Sequence, residues 1–416
     1  MPPCSAGAEM RPLPTLAYGL LALPLAFAAL PLYVHVPAFY ANVTGLDLGL
    51  LGAILLLARL LDAGIDPWLG WLADRVSRRR MVAVSLLPFA VGFVALLNPP
   101  VEHAAPWLLA SLLLTYAGFS AATVAYQAWG AAVGNDAPER TRLVASREAF
   151  GLLGVLVAAA LPALLAVALN DGIARLAWVL PVLLVLAGGV TLARVGEGNN
   201  RVAVSSALLP ALRAVLRDTA FRRLLLVFIC NGFAAAIPAT LFLFFVADIL
   251  QAESASGPLL AAYFLAGAAS LPLWLKLSAR IGRPRAWLLA MGVAMLAFAG
   301  AGLLGPGDVA LFAVVCVASG LALGADLALP AALAADLGER QGRSGACFGV
   351  WNFFAKLNLA LAAGIALPLL GVFDYRPGSD QGQTALILAY ALLPLLFKAL
   401  AAILLWRWRN SLEVES

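Results

Sequence analysis

Arg59 to Arg80 reads R-L-L-D-A-G-I-D-P-W-L-G-W-L-A-D-R-V-S-R-R-R. The apolar run that contains it, Leu48 to Leu72, is long enough to cross a bilayer and carries Arg59, Asp62 and Asp66 near its middle. Ionisable side chains at that depth are costly unless they face a partner or a watery cavity, so they mark a functional site by default. Asp62 and Asp66 stand four apart and therefore share a helix face. Two carboxylates on one face in a poorly solvated place oppose each other's ionisation, which suits a site for a proton or a small cation. The structural alternative is a helix-stabilising contact between Arg59 and Asp62, with Asp66 capping a kink at Pro67.

The rest of the chain is of the same kind. Its 416 residues are 63% hydrophobic and 12% charged, with a mean hydropathy of +0.94, whereas soluble domains carry roughly 25% charged residues. A span needs roughly 20 mostly apolar residues. Twelve such stretches are present, at about 13–36, 48–72, 81–98, 107–134, 143–169, 176–194, 221–247, 257–279, 286–304, 309–335, 344–371 and 383–406. The expected fold class is an all-α membrane protein of twelve transmembrane helices. Arg and Lys are retained on the cytoplasmic side, and here they collect on alternate connections. Arg75, Arg78, Arg79 and Arg80 follow the second span, Arg140 and Arg142 the fourth, and Arg280, Arg283 and Arg285 the eighth. Arg340 and Arg343 follow the tenth, while the central connection holds six arginines from Arg194 to Arg223. The opposite connections hold only Arg175 and Arg376. Both termini are thus expected in the cytoplasm, with the protein in the plasma (inner) membrane. The pI near 9.2 reflects this asymmetry, and no nucleic-acid partner is expected.

Several classes are excluded. The first apolar run is too long for a signal-peptide core and shows no small-residue cleavage site, so it is expected to stay. Cys4, Cys230, Cys316 and Cys347 have no metal-type or redox spacing. There is no phosphate-binding glycine loop, no Ser/His/Asp arrangement and no metal-ligand signature, so neither catalytic residues nor a cofactor is expected. An integral-membrane enzyme would need such a constellation at the bilayer face. Of the two histidines, His35 reads as a hydrogen-bonded helix residue.

The chain also repeats itself. The long polar connection at 195–220 divides an N-terminal set of six spans (1–194) from a C-terminal set (221–416). After the fourth span stands N-D-A-P-E-R-T-R, Asn135 to Arg142; after the tenth stands A-D-L-G-E-R-Q-G-R, Ala335 to Arg343. Asp136, Glu139 and Arg140 recur as Asp336, Glu339 and Arg340. The basic turn that begins at Asp74 has a weaker echo in S-A-R-I-G-R-P-R, Ser278 to Arg285. Parallel six-helix repeats of this sort characterise the major facilitator fold, whose substrate sits near mid-membrane and whose access alternates. Asp74, Arg75, Arg78, Asp136, Arg140, Asp336 and Arg340 are candidate cytoplasmic gate residues, made and broken between states, with simple topogenic charge as the alternative.

Gly70 to Arg79, G-W-L-A-D-R-V-S-R-R, is similar to the loop motif of the major facilitator superfamily. Y-A-N-V-T-G-L-D-L-G-L-L-G, Tyr40 to Gly52, followed by A-R-L-L-D-A-G-I-D-P-W-L-G-W, Ala58 to Trp71, resembles the glycoside-pentoside-hexuronide:cation symporters, typified by the melibiose permease. The resemblance implies that Asp62 and Asp66 form the cation site and that Lys356, within W-N-F-F-A-K-L-N, stands opposite. Depth agrees independently. Lys356 lies roughly 18 Å from the cytoplasmic end of its span, and the two acids roughly 10 to 16 Å from the same side, at 1.5 Å per residue. Arg147 resembles a family arginine at the substrate cavity, and Trp129 a family tryptophan on the fourth span. Departures accompany these matches. The acids that anchor sugar in melibiose-type members fall near Ala26 and Ala125. A polar residue between the cation-site acids is replaced by Ile65, and a hydroxyl ligand falls near Ala122, beside Thr123. Sodium needs several oxygens whereas a proton needs one carboxylate, so proton coupling is favoured over sodium, and no metal site is expected beyond Na+ at Asp62 and Asp66.

Tyr33, Tyr126, Gln127, Trp129, Trp351, Asn352 and Asn358 are candidate cavity residues, since aromatics with a few amides suit a sugar ring or an amphipathic solute; packing is the alternative for each. Asp326, deep in the tenth span, is a candidate solute contact or second partner for Lys356. Lys398 reads as a residue that snorkels. The leading expectation is a monomeric symporter of a sugar or glycoside driven by H+ or Na+. A lysolipid or other amphipathic-solute symporter and a proton-coupled exporter of the same fold are the alternatives.

Overall fold

In the computed structural model the described residues are 12–44, 46, 48–100, 102–165, 169–198, 207–375 and 381–412, and their regular structure is helical throughout. Cys4, Arg201, Arg376 and the side chain of Tyr33 lie outside the described part. In chain order the helices are α1 (Pro12–Leu20), α2 (Ala22–Leu30), α3 (Val36–Thr44), α4 (Leu48–Ala73), α5 (Arg78–Leu96), α6 (Ala104–Val133), α7 (Ala137–Leu165) and α8 (Leu169–Arg194). They continue as α9 (Leu208–Arg217), α10 (Thr219–Phe244), α11 (Ser256–Ile281), α12 (Arg283–Ala301), α13 (Val309–Arg340), α14 (Ser344–Val372) and α15 (Gln383–Leu412).

Among the described residues eight helices are long and apolar enough to cross a membrane: α5, α6, most of α8, α10 to α13, and α15. The protein is an integral, multi-pass membrane protein. Each of the twelve stretches read from the sequence overlaps helix among the described residues, the first the succession α1 to α3, which a π-type turn at Pro31–His35 interrupts. His35 was expected to be hydrogen-bonded, yet its Nε2 is buried there without a partner. Prolines inside α4, α5, α8, α10, α11, α13 and α15 are tolerated because neighbouring helices and local adjustments re-satisfy the freed carbonyls.

By packing, the chain falls into two compact units, Met1–Leu55 with Ser77–Asn200, and Leu56–Val76 with Arg201–Ser416. In the first, glycines let helices approach to backbone contact, the usual means of packing where lipid removes the hydrophobic drive. A Cβ at Gly118 of α6 would lie 2.4 Å from the Phe89 nitrogen of α5, and one at Gly154 of α7 2.2 Å from the Leu23 carbonyl of α2. Hydroxyls complete the joints: Thr191 of α8 donates to the Ala17 carbonyl at 2.6 Å, and Ser146 of α7 to that of Thr15 at 3.0 Å.

The second unit has an aromatic core. Phe245, just after α10, stacks on Phe312 of α13 and on Tyr390 of α15, with ring centroids 5.2 and 4.2 Å apart. α11 and α13 meet through Gly267, Gly320 and Gly324, and the Trp274 indole donates to the Leu321 carbonyl at 2.7 Å. The turn from α11 to α12 is a single residue, Gly282, at φ +86°, a left-handed conformation that glycine adopts without steric cost.

The close α5/α6 crossing has a testable consequence. Gly118→Ala should cost about 1–3 kcal/mol, the usual penalty for overpacking a filled interface, and lower the thermal midpoint of the purified protein. Gly292→Ala, whose Cβ meets nothing within 4 Å, should leave it unchanged.

Candidate functional site

The inner part of α4 and the first half of α14 belong to one unit and form the site. Along α4 the residues Asp62, Asp66, Gly70 and, just past its end, Asp74 recur every four positions. Along α14 the facing residues are Gly345, Gly349 and Lys356, spaced at helical intervals of four and seven. The glycines set the distance. A Cβ at Gly70 would lie 2.2 Å from the Gly345 carbonyl oxygen, and one at Gly349 2.5 Å from that of Asp66. The two backbones therefore touch, as a glycine every fourth residue allows.

At the start of α14 the backbone N–H groups of Gly345 and Ala346 donate to Asp74 Oδ1 and Oδ2 at 2.7 and 2.8 Å. These amides are among those a helix leaves unpaired at its N-terminus, where negative charge is also favoured by the helix dipole. Asp74 is 8% exposed, so the carboxylate closes the bottom of the α4/α14 seam.

Further along the same seam Lys356 reaches both acids. Its Nζ lies 2.8 Å from Asp62 Oδ2 and 2.8 Å from Asp66 Oδ2, and donates to Asp66 Oδ1 at 3.0 Å. Side-chain exposure is 3% for Asp62, nil for Asp66 and 21% for Lys356. When all three are ionised they sum to one negative charge. The side chain of Arg59 is exposed, which does not bar it from contact with a neighbour. Two carboxylates that share one ammonium at low dielectric are costly unless geometry and further partners complete the arrangement.

A second buried charge pair lies in the same unit. Lys398 of α15 donates to Asp326 Oδ2 of α13 at 2.5 Å, and the Trp287 indole of α12 donates to Asp326 Oδ1 at 2.8 Å. This corrects two expectations. Lys398 is 3% exposed and does not snorkel, and Asp326 pairs with Lys398 where Lys356 was one expected partner. The physical reason is that an ammonium held inside a bundle needs a counter-ion, and α13 supplies one.

The aromatic candidates whose side chains are described are packed. Tyr126 and Tyr18 donate to each other's backbone carbonyls, with ring centroids 4.5 Å apart. Trp129 is fully buried and its indole donates to the Gly196 carbonyl at 2.8 Å. Trp351 is stacked on Phe228 at 3.7 Å. Gln127 and Asn352 are half-buried, and Asn358 is buried with its Nδ2 unpartnered. Arg147 is 8% exposed; its Nε lies 2.9 Å from Glu148 Oε1 and its Nη2 contacts the same oxygen, while Nη1 is buried without a partner.

The gate candidates divide. Arg75 stacks over Trp71 at 4.0 Å and Arg78 is buried. Asp136 Oδ1 accepts from Glu139 N at 2.7 Å, and Glu139 Oε2 accepts in return from Asn135 N at 2.8 Å, a reciprocal cap at the start of α7. Arg140 donates to the Ala131 carbonyl at 3.0 Å. Its echo differs: Asp336 lies within α13, 1% exposed and paired with Arg283, and Arg340 is exposed. The repeated letters thus serve a helix cap in one half and an ion pair in the other. The sequence reading passed over Gly70, Gly345 and Gly349, although a glycine every fourth residue in an apolar span is a readable packing signal.

Residues 13–410 match the family model described as MFS/sugar transport protein. Solved structures with the same fold include a bacterial homologue of the iron transporter ferroportin in an outward-facing state (13% identity, TM-score 0.75, 96% of this chain and 100% of that one). The E. coli fucose:proton symporter FucP is similar at 15% identity and TM-score 0.69, over 95% and 97% of the two chains. The human organic anion transporter MFSD10 (TETRAN) is similar at 18% identity and TM-score 0.68, over 94% and 98%. At such identities the likeness extends to the fold alone.

The buried pair in α13 and α15 should behave as a unit. Asp326→Asn or Lys398→Met alone should destabilise the protein by about 3–5 kcal/mol, as the survivor is left uncompensated. The double variant should recover most of the thermal midpoint. A double variant no more stable than the weaker single one would show that the two charges act separately.

Proposed function

We propose that this chain, which belongs to the MFS/sugar transport protein family, is a cation-coupled symporter of a sugar, glycoside or related small solute. The family and fold make it a secondary transporter. The finer assignment, to the melibiose-permease-like branch with H+ favoured over Na+, rests on the residues. One observation carries it: a single ammonium, Lys356, held by two buried carboxylates, Asp62 and Asp66.

The chemistry follows from the charge count. Without a cation, Lys356 holds α4 to α14. A proton arriving on either carboxylate removes one of the charges that hold the ammonium, and the seam weakens. Neither Ile65 nor Ala122 offers a side-chain oxygen, and a proton needs no oxygen beyond one carboxylate. For access to alternate, the amides of Gly345 and Ala346 must also leave Asp74, so cation binding and gate opening act on the same pair of helices. In the first unit the open Nη1 of buried Arg147 is the proposed polar anchor for solute. The first span and α4, α7 and α14 are proposed to cross the membrane with the other eight. Both termini would then lie in the cytoplasm, the protein acting as a monomer in the plasma (inner) membrane.

A lysolipid or similar amphipathic solute is the second reading. It draws on the non-acidic Ala26 and Ala125, and on an apolar cavity of about 340 Å³ between α14 and α15, lined by Leu369, Phe373, Leu388 and Leu392.

A thermal-shift panel of hexoses, glycosides and lysophospholipids on the purified protein, with and without sodium, separates these readings, since a ligand of the native state raises its stability. The ligand found is then followed into proteoliposomes. Asp66→Asn should abolish uptake driven by a pH gradient while sparing exchange. Strict sodium dependence without response to the pH gradient would refute proton coupling. Unaltered uptake in both Asp62→Asn and Asp66→Asn would remove these acids from the mechanism. Depletion under an inward gradient would identify an exporter.

A further inference from the structure

The connection between the two sets of spans contains a helix that neither the fold nor the coupling site accounts for. α9 has ten residues, L-L-P-A-L-R-A-V-L-R, about 15 Å at 1.5 Å per residue, too short to cross a bilayer. It is fixed at a corner. Asp218 ends α9 and caps α10, its carboxylate accepting from Phe221 N at 2.6 Å, so α9 sits at the membrane end of a spanning helix.

The faces of α9 are sorted. Ala211 and Val215 are buried against neighbours, and α9 packs on α10 and α14. Turning by the helical angle of about 100° per residue, the next strip holds Leu209 and Leu216, exposed at 64% and 42%. Beyond it come Arg213 and Arg217, both exposed, and Arg222 is exposed on the first turn of α10. None of the three arginines makes an ion pair among the described residues. Asp218, the sole acid from 207 to 223, already accepts the Phe221 N–H. An apolar strip bordered by unpaired guanidinium groups, at the end of a membrane span, has the chemistry of a helix lying in the lipid interface. Leucines enter the acyl boundary there while arginines meet phosphate.

We propose that α9, with Arg222, binds the anionic phospholipid surface of the bilayer. Because α9 packs on α14, whose first amides hold Asp74 and which carries Lys356, the lipid bears on the placement of the helix that forms the site. The proposal does not depend on what the protein transports, and neither does its test.

The full-length protein is placed in nanodiscs of phosphatidylcholine alone or mixed with phosphatidylglycerol, and its thermal midpoint is measured. The expected result is a higher midpoint with phosphatidylglycerol for the wild type, lost at high salt because exposed charges are screened. The Arg213→Gln/Arg217→Gln/Arg222→Gln variant should match the wild type in phosphatidylcholine and lose at least half of the shift. Arg→Lys at the three positions should keep it. Should the Gln variant fail to fold, the salt dependence in the wild type and the Lys variant carry the test. No shift with phosphatidylglycerol, a shift insensitive to salt, or an undiminished shift in the folded Gln variant overturns the proposal. So does inorganic phosphate reproducing the shift in phosphatidylcholine, which would make this a site for a soluble anion.

Discussion

The ammonium of Lys356 between Asp62 and Asp66 is the constraint on which the rest of the α4/α14 seam turns. Charges this deep are tolerated only in company, and company requires that two helices distant in sequence run in register. Three features provide that register. Asp74 fixes the start of α14 by its amides, glycines at 70, 345 and 349 bring the backbones into contact, and the helical repeat then delivers Lys356 to the acids. Loss of any one of these shifts the other two, because all lie on the same faces of the same two helices.

Two of the buried charge clusters among the described residues of the second unit differ in a way that bears on the proposed function. Asp326 and Lys398 are balanced, one charge against one, with the Trp287 indole on the remaining carboxylate oxygen. Nothing in that arrangement calls for another ion, and its consequence is structural: it ties α12, α13 and α15 together. Asp62 and Asp66 instead share one ammonium, that of Lys356. That difference in electrostatics, more than depth or burial, separates a proposed coupling site from a buried salt bridge.

Much of this was legible in the sequence, for physical reasons. Hydropathy and the placement of arginines give a helical membrane protein, since the bilayer demands long apolar helices. Asp62, Asp66 and Lys356 stand out because ionisable residues are rare in spans, and depth arithmetic put them at similar heights. Lys398 was misread because its partner is on another helix, 72 residues away, and no local pattern announces it. Tyr126, Trp129 and Trp351 could line a cavity or fill a core, and sequence alone does not distinguish the two; here their rings and polar atoms are taken up by Tyr18, Gly196 and Phe228. Asp136 and Asp336 share a motif but not a role, because α6 ends at Val133 whereas α13 continues to Arg340. The motif fixes the letters, and helix length decides what they touch.

The central claim is that the acids of α4 exchange a proton while Lys356 holds their other charge. Infrared difference spectroscopy on the purified protein, comparing high and low pH with and without sodium, reads it most directly. The account predicts a protonated-carboxyl band that appears on acidification without any added solute, is lost in Asp66→Asn, and is altered when Lys356→Gln removes the ammonium. A band that is the same in the wild type and in both aspartate variants, or carboxylate changes produced by sodium alone with no response to pH, would contradict it.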